Sequence, residues 1–313
     1  MVNETIKNEV FAQLGIPPTD TKLLGGYNGN VFEVGRNVKF VVKILERSVN
    51  PVNSQISELE WLAYLHSHGV SVVRPLRVKG NEYIQQINNE TYFVAYEKIN
   101  GSPVKPNDMK IWGTAFFERW GEMVGKMHSV SKSYSPNNEH LQWFQNTVLL
   151  NIESIPLNPQ LIQMWNTYKK EFYKLPISIE NFGLIHGDLH YGNLLITGNE
   201  ITVIDFGDCE QHWFAYDVAI VIYHIALTVS KQEREKFVKS FFSSFVNGYV
   251  RENSDTSFFS NIDFFINYRQ LYSFTYHSLY ADKNLITEQQ LLHLKDMEAS
   301  IVNERPFLDF SVL

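Results

Sequence analysis

The side chains best suited to chemistry lie in His186-Gly187-Asp188-Leu189-His190-Tyr191-Gly192-Asn193 and, after a short apolar stretch, in Ile204-Asp205-Phe206-Gly207-Asp208. Asp188 is a carboxylate able to orient a hydroxyl and take its proton. Asn193, five residues on, offers an amide oxygen, and Asp205 a second carboxylate. Magnesium takes few oxygens from a protein and completes its octahedron with phosphate and water. An aspartate base with Asn and Asp metal ligands therefore fits phosphoryl transfer from Mg-bound ATP, a reaction that needs positioning and charge neutralisation more than covalent chemistry.

Upstream residues supply the rest of such a site. Leu24-Gly25-Gly26-Tyr27-Asn28-Gly29-Asn30-Val31 is a glycine-rich turn entering a strand. Gly26, Asn28 and Gly29 are the positions expected to lay backbone N–H groups along phosphates. Lys43 stands in Val41-Val42-Lys43-Ile44-Leu45, apolar on both sides. An ammonium there is costly unless paired, and a polyphosphate plus a carboxylate would satisfy it. Glu58, four before Leu62 and seven before Leu65, borders the inward face of the next helix and is the expected carboxylate; Glu60 falls with Trp61 and Tyr64 on the side expected to be solvated. At ~4 Å and an effective dielectric near 20, such a pair gains about 4 kcal/mol before desolvation.

Other polar residues carry less. His190 is a candidate for touching the transferred phosphoryl group or for a structural hydrogen bond. Asp208, close to Asp205, is a candidate for metal or substrate. Asp217 is expected to cap a helix and to brace the catalytic loop, and His128 to end a helix as a core or capping residue.

The elements that must position these groups fall into two blocks. Residues 31–34, 38–45, 72–78, 83–87 and 91–96 read as five strands, with helical spacing over 53–68 ended by Gly69. Breakers cluster at Gly101, Pro103 and Pro106, which sets a division into 1–97, a linker 98–108, and 109–313. Beyond the linker, helices are expected over 111–130, 159–174, 216–229, 231–251, 258–280 and 288–302. Short strands are expected at 194–197 and 201–204, flanking the chemistry. No internal repeat is evident.

The 313 residues leave room for a sizeable core, and 44% hydrophobic with 19% charged residues is a globular composition. A net charge of −7 argues against nucleic acid as partner and is compatible with a cationic amine substrate. The single cysteine, Cys209, excludes an intrachain disulfide and a cysteine-cluster zinc site. The first residues lack a basic and an apolar stretch, and the apolar run 218–229 is too short to span a bilayer. No signal peptide and no membrane partner are expected, and a cytoplasmic location is.

On the 25–31 turn, Lys43, Glu58 ahead of His68-Gly69-Val70, residues 96–101, 186–193 and 205–207, and Asp217-Val218-Ala219, the chain resembles the aminoglycoside phosphotransferase and choline kinase superfamily. The resemblance implies an α+β, protein-kinase-like two-lobe fold: a small five-stranded antiparallel N-lobe with one helix, and a larger, mainly helical C-lobe. ATP and Mg²⁺ are the implied cofactors, with Asp188 as base and Asn193 and Asp205 on the metal. Backbone near Glu97 and Ile99 would hold the adenine. The implied acceptor is a small-molecule alcohol such as an aminoglycoside, choline or ethanolamine, homoserine or a sugar. Two departures stand out: Tyr191 where the family often has proline, and 208–214 without the usual glycine and proline. A protein Ser/Thr kinase is the alternative, although only nine residues separate Gly207 from Asp217 and no Ala-Pro-Glu triplet occurs. A pseudokinase is the third reading. Tyr268, Tyr272, Tyr276 and Tyr280, spaced by four, form one helical stripe that either packs in the core or faces an acceptor.

Overall fold

The computed structural model describes residues 2–26, 29–136, 138–152, 158–281 and 286–313. Its chain divides into two compact units that interleave in sequence. The first comprises 1–103, 133–140 and 194–207; the second comprises 104–132, 141–193 and 208–313.

The first unit is built on an antiparallel sheet of strands β1 (Thr21–Gly25), β2 (Val31–Val34), β3 (Phe40–Glu46), β4 (Pro75–Leu76), β5 (Gln85–Gln86) and β6 (Thr91–Glu97), with β1-β2-β3-β6-β4 as the main order and β5 also on β6. Val42 and Ile44 are buried while Val41 and Lys43 are partly open, the alternation expected of a sheet with one core face. Lys43 pairs in register with Val31 on one side and Val94 on the other.

Helix α1 (Glu4–Leu14) adds Val10 and Phe11 to the core of Phe32, Val34, Val42, Ile44 and Phe93. Neither this helix nor β1 was expected from the pattern. Their signals were local: the Asn3 side chain accepts from the Thr5 N–H, and Gly15 ends the helix at φ 68°. The strands expected at 72–78 and 83–87 shrink to β4 and β5, because Val72 and Val73 bond instead with Val203. That pairing ties in the hairpin of β9 (Leu194–Thr197) and β10 (Glu200–Val203), to which the two-residue β7 (Ser102–Pro103) adds. Helix α2 (Val52–Ser67) buries Leu59, Leu62 and Leu65 as expected. It also buries Trp61, which the pattern had grouped with the solvated side; the ring packs edge-on against Phe206 at 5.4 Å.

The second unit is mainly helical. Helices α3 (Thr114–Lys132) and α7 (Arg234–Glu252) approach closely because Gly121 and Gly125 on one, and Gly248 on the other, leave no side chain between the backbones. Strand β8 (Phe182–Ile185) pairs with β11 (Glu210–Trp213), a ladder absent from the pattern reading. It leads directly into residues 186–193. Helix α6 (Phe214–Ala226) accounts for the most apolar run and is buried on nearly every side. Helices α4 (Thr147–Asn151), α5 (Pro159–Phe172), α8 (Ile262–Tyr280) and α9 (Glu288–Val302) complete the unit. Among the described residues no helix is long and apolar enough to cross a membrane.

Candidate active site

In the first unit the central feature is an ion pair between residues far apart in sequence. Lys43 Nζ lies 2.9 Å from Asp205 Oδ1. Asp205 adopts φ 63°, a left-handed conformation uncommon for a residue with a side chain. Phe206, 1% exposed and packed on Trp61, anchors that turn.

Glu58, the carboxylate expected beside the Lys43 ammonium, accepts a hydrogen bond from Tyr96 Oη at 3.0 Å through Oε1. It acts on Lys43 through space. Burial pushes its pKa up, and the Lys43 charge works against that rise. Glu60, expected in solvent, accepts from the Asn138 side chain at 2.9 Å.

The glycine turn is held near Lys43. The Gly29 N–H donates to the Gly26 carbonyl at 3.0 Å, and the Asn30 side chain donates to the Ile44 carbonyl at 2.9 Å. Gly26 has φ 85°, and a Cβ there would run into the Asn30 side chain. Asn28 lies outside the described residues. Glu97 ends β6 with its N–H donated to the Arg74 carbonyl and its carboxylate 3.3 Å from Arg74 Nε. Ile99 follows in the irregular stretch 98–101.

In the second unit, Asp188 is clamped. Arg269 on α8 places Nη2 2.6 Å from Asp188 Oδ1 and donates through Nη1 to the Gly187 carbonyl at 3.3 Å. His190 Nε2 stands 3.3 Å from Asp188 Oδ2, while its Nδ1 accepts from the Gly192 N–H at 2.9 Å, so the hydrogen sits on Nε2. Burial by itself would raise the Asp188 pKa. The Arg269 guanidinium, followed by His190, outweighs it and holds the carboxyl far below the usual range.

Asn193 donates through Nδ2 to the Asp188 carbonyl at 2.9 Å, which leaves its amide oxygen as an acceptor. Asp217 is wholly buried and accepts the N–H groups of His186 at 3.0 Å and Gly187 at 3.1 Å. It stands inside α6 rather than capping it, since Trp213 is the N-cap. His128, four residues from the end of α3, bonds both Asp217 at 3.3 Å and the Tyr249 hydroxyl at 2.8 Å, so of the two readings it is the core one that holds. Asp208 is exposed, and its carbonyl occupies the space a Cβ on Gly187 would need at φ 80°.

Arg269 escaped the pattern reading. It sits between the tyrosines of the 268–280 stripe, and nothing in its neighbours distinguishes it from a surface arginine. That stripe runs from core to surface: Tyr268 is 1% exposed and packs on Trp165 and Phe172, whereas Tyr280 is 39% exposed.

Asp205 in the first unit offers carboxylate oxygen and Asn193 in the second an amide oxygen, each a donor type that a hard divalent cation takes. Among the described residues no cluster of three or more His, Cys, Asp or Glu could hold a metal unaided. Phosphate and water would have to complete its coordination.

An antiparallel-sheet unit with a strand lysine, and a helical unit with an aspartate-asparagine loop, define a kinase that acts on small molecules. The chain belongs to the phosphotransferase enzyme family (APH), whose sequence pattern matches residues 20–252. It is 28% identical over 324 aligned residues to an amicoumacin kinase of Bacillus subtilis (strain 168), covering 99% of this chain and 96% of that protein. Among solved structures, an amicoumacin kinase in complex with AMP-PNP, Ca²⁺ and Ami superposes with a TM-score of 0.90 at 23% identity, covering 99% of this chain and 96% of the other. A microcompartment-associated aminopropanol kinase superposes at 0.75 with 17% identity, covering 96% and 95%.

Proposed function

We propose that this kinase transfers the γ-phosphoryl group of ATP to a hydroxyl of a small amine-bearing alcohol, with amicoumacin as the first candidate acceptor. The observation that carries the reading is the Lys43–Asp205 pair: 162 residues apart in sequence, 2.9 Å apart in space, with Asp205 still 57% exposed. A partly open pair of this kind adds little to the stability of a fold, but a metal-bound triphosphate needs both groups. Support for the acceptor class comes from the similarity to an amicoumacin kinase and to an aminopropanol kinase, and from the exposed Asp208.

The proposed roles divide as follows. Residues 1–97 bind nucleotide, 98–108 link, and 109–313 supply the base and the acceptor groups. Backbone of the Gly26–Gly29 turn, with Asn28, lies along the phosphates, and Lys43 neutralises them, with Glu58 fixing the field around its ammonium. Because the Glu97 N–H is already engaged, adenine is read by the Glu97 carbonyl and by the backbone of Ile99. Asp205 and Asn193 would offer oxygens to Mg²⁺, which would offset phosphate charge. Asp188 Oδ2 receives the acceptor hydroxyl; as the O–P bond forms and the bond to the ADP oxygen breaks, the proton passes to that carboxylate. So acidic a carboxyl is a weak base. That suits a loose transition state, where the hydroxyl keeps its proton until late and orientation matters more than basicity. The reaction draws on cytoplasmic ATP.

The test is ATP consumption with amicoumacin, aminopropanol, choline, an aminoglycoside, homoserine and a sugar, with Asp188→Asn as control. Saturable turnover on an amine-bearing alcohol, abolished in the variant, is expected. Transfer to protein serine instead, or tight MgATP binding with no turnover on any acceptor, would overturn the proposal.

A further inference from the structure

We propose that Arg269 is a positioning residue: its guanidinium fixes the Asp188 carboxylate and the backbone in front of it, so that Oδ2 alone is presented to the acceptor hydroxyl. The inference rests on the reading of Asp188 as the base.

One planar fork reaches two consecutive residues. Nη2 takes Asp188 Oδ1 at 2.6 Å, and Nη1 takes the Gly187 carbonyl at 3.3 Å. Side-chain torsion and loop backbone are thereby set by the same rigid group, which a lysine's single point charge could not do. The competing contacts on the other oxygen are longer: His190 Nε2 at 3.3 Å and Asn193 Nδ2 at 3.5 Å from Oδ2. Oδ2 is therefore the less tightly held oxygen, the one that can exchange a long contact for the acceptor hydroxyl.

Arg269 itself is held. It is 7% exposed, its Nη2 lies 3.3 Å from His224 Nε2 on α6, and its guanidinium stands 5.4 Å from the Tyr272 ring centroid. For His224 to accept that bond its Nε2 must be bare. Burial, aided by the Arg269 charge, holds its pKa well below the ordinary value, which keeps the ring neutral. Both helices that carry these groups are long and well packed, so the clamp stands on rigid elements rather than on the loop it aligns.

The experiment compares wild type, Arg269→Lys, Arg269→Ala and His224→Leu, with amicoumacin as acceptor and MgATP titrated separately. Loss of alignment by about 1 Å costs roughly 10²-fold in rate. Arg269→Ala is expected to lose about that factor in kcat with KM for MgATP changed by less than about twofold. Added guanidinium ion at millimolar levels should restore part of the lost kcat in Arg269→Ala and none in Arg269→Lys. His224→Leu should fall between wild type and Arg269→Ala. Unchanged kcat in Arg269→Ala, or a parallel loss of kcat and MgATP affinity without guanidinium rescue, overturns the proposal. A crystal structure of Arg269→Lys adds a readout that needs no turnover. A turned Asp188 carboxylate and a shifted Gly187 carbonyl support the clamp, and unmoved groups refute it. Should wild type itself fail to phosphorylate any acceptor, the base assignment falls, while the crystal structure still decides the clamp.

Discussion

Two carboxylate–cation pairs, one in each unit, are built from similar parts and to opposite ends. Lys43–Asp205 spans 2.9 Å with side chains 21% and 57% exposed; Arg269–Asp188 spans 2.6 Å with 8% and 27%. The first uses a flexible point charge and stays open, so a ligand can enter without leaving a charge stranded in a dry interior. The second uses a planar fork, is largely withdrawn from water, and ties its carboxylate to main chain as well as side chain. On the proposed roles, the pair to be exchanged is open and the pair that holds still is largely withdrawn from water.

The largest effect that would test this contrast is on rate. Asp188→Asn keeps the shape of the side chain but removes the proton acceptor, and kcat should fall by about 10³-fold while MgATP binding persists. A coupled ADP-release assay beside nucleotide titration checks both halves. If binding is lost together with rate, the two pairs are not separate in function.

Nucleotide affinity comes next. Lys43→Met removes one charge-assisted contact to phosphate and should weaken MgATP about tenfold or more in calorimetry. Stability then separates the pairs directly in denaturant unfolding. Arg269→Met strands the Asp188 charge and should cost about 2 kcal/mol, below the figure for a fully buried pair because Asp188 keeps some contact with water. Lys43→Met should cost less than about 1 kcal/mol. Equal losses would erase the distinction.

The last effect concerns pH. Glu210 is 4% exposed and accepts from the Asn146 side chain at 3.0 Å; burial pushes its carboxyl up to about 8 from 4.5. Between those values the unfolded chain releases a proton that the folded protein retains, so folding stability declines as pH rises from about 4.5 to about 8. Glu210→Gln keeps the acceptor and abolishes the titration. Its melting temperature should exceed wild type at pH 8 by a few degrees, with the gain vanishing near pH 5. A constant difference across that range would mean that Glu210 is ionised in the fold.

Much of the fold was legible because it rests on local signals. The β3 alternation around Lys43, the α2 stripe of Leu59, Leu62 and Leu65, and the Gly198 turn between β9 and β10 follow from side-chain periodicity and backbone preference. What escaped was set by remote partners. The 72–78 run became β4 because Val72 and Val73 found Val203, and Trp61 went inside because Phe206 was there to receive it. The β8–β11 ladder joins a short Phe-Gly-Leu-Ile run to the polar Glu-Gln-His-Trp, which does not announce a strand.

The site divides the same way. Asp188, Asn193 and Asp205 stand out by type and spacing, because the metal ligation and proton transfer proposed for them need those atoms wherever the chain goes. Their partners do not. Glu58 took up the Tyr96 hydroxyl, Asp217 reached the loop backbone, and Arg269 came from a helix 81 residues beyond Asp188. Which residues can do chemistry is a property of side-chain type, already present in the linear chain. Which cation meets which carboxylate, and how dry the meeting place is, depends on packing over long separations, and only the folded molecule decides it.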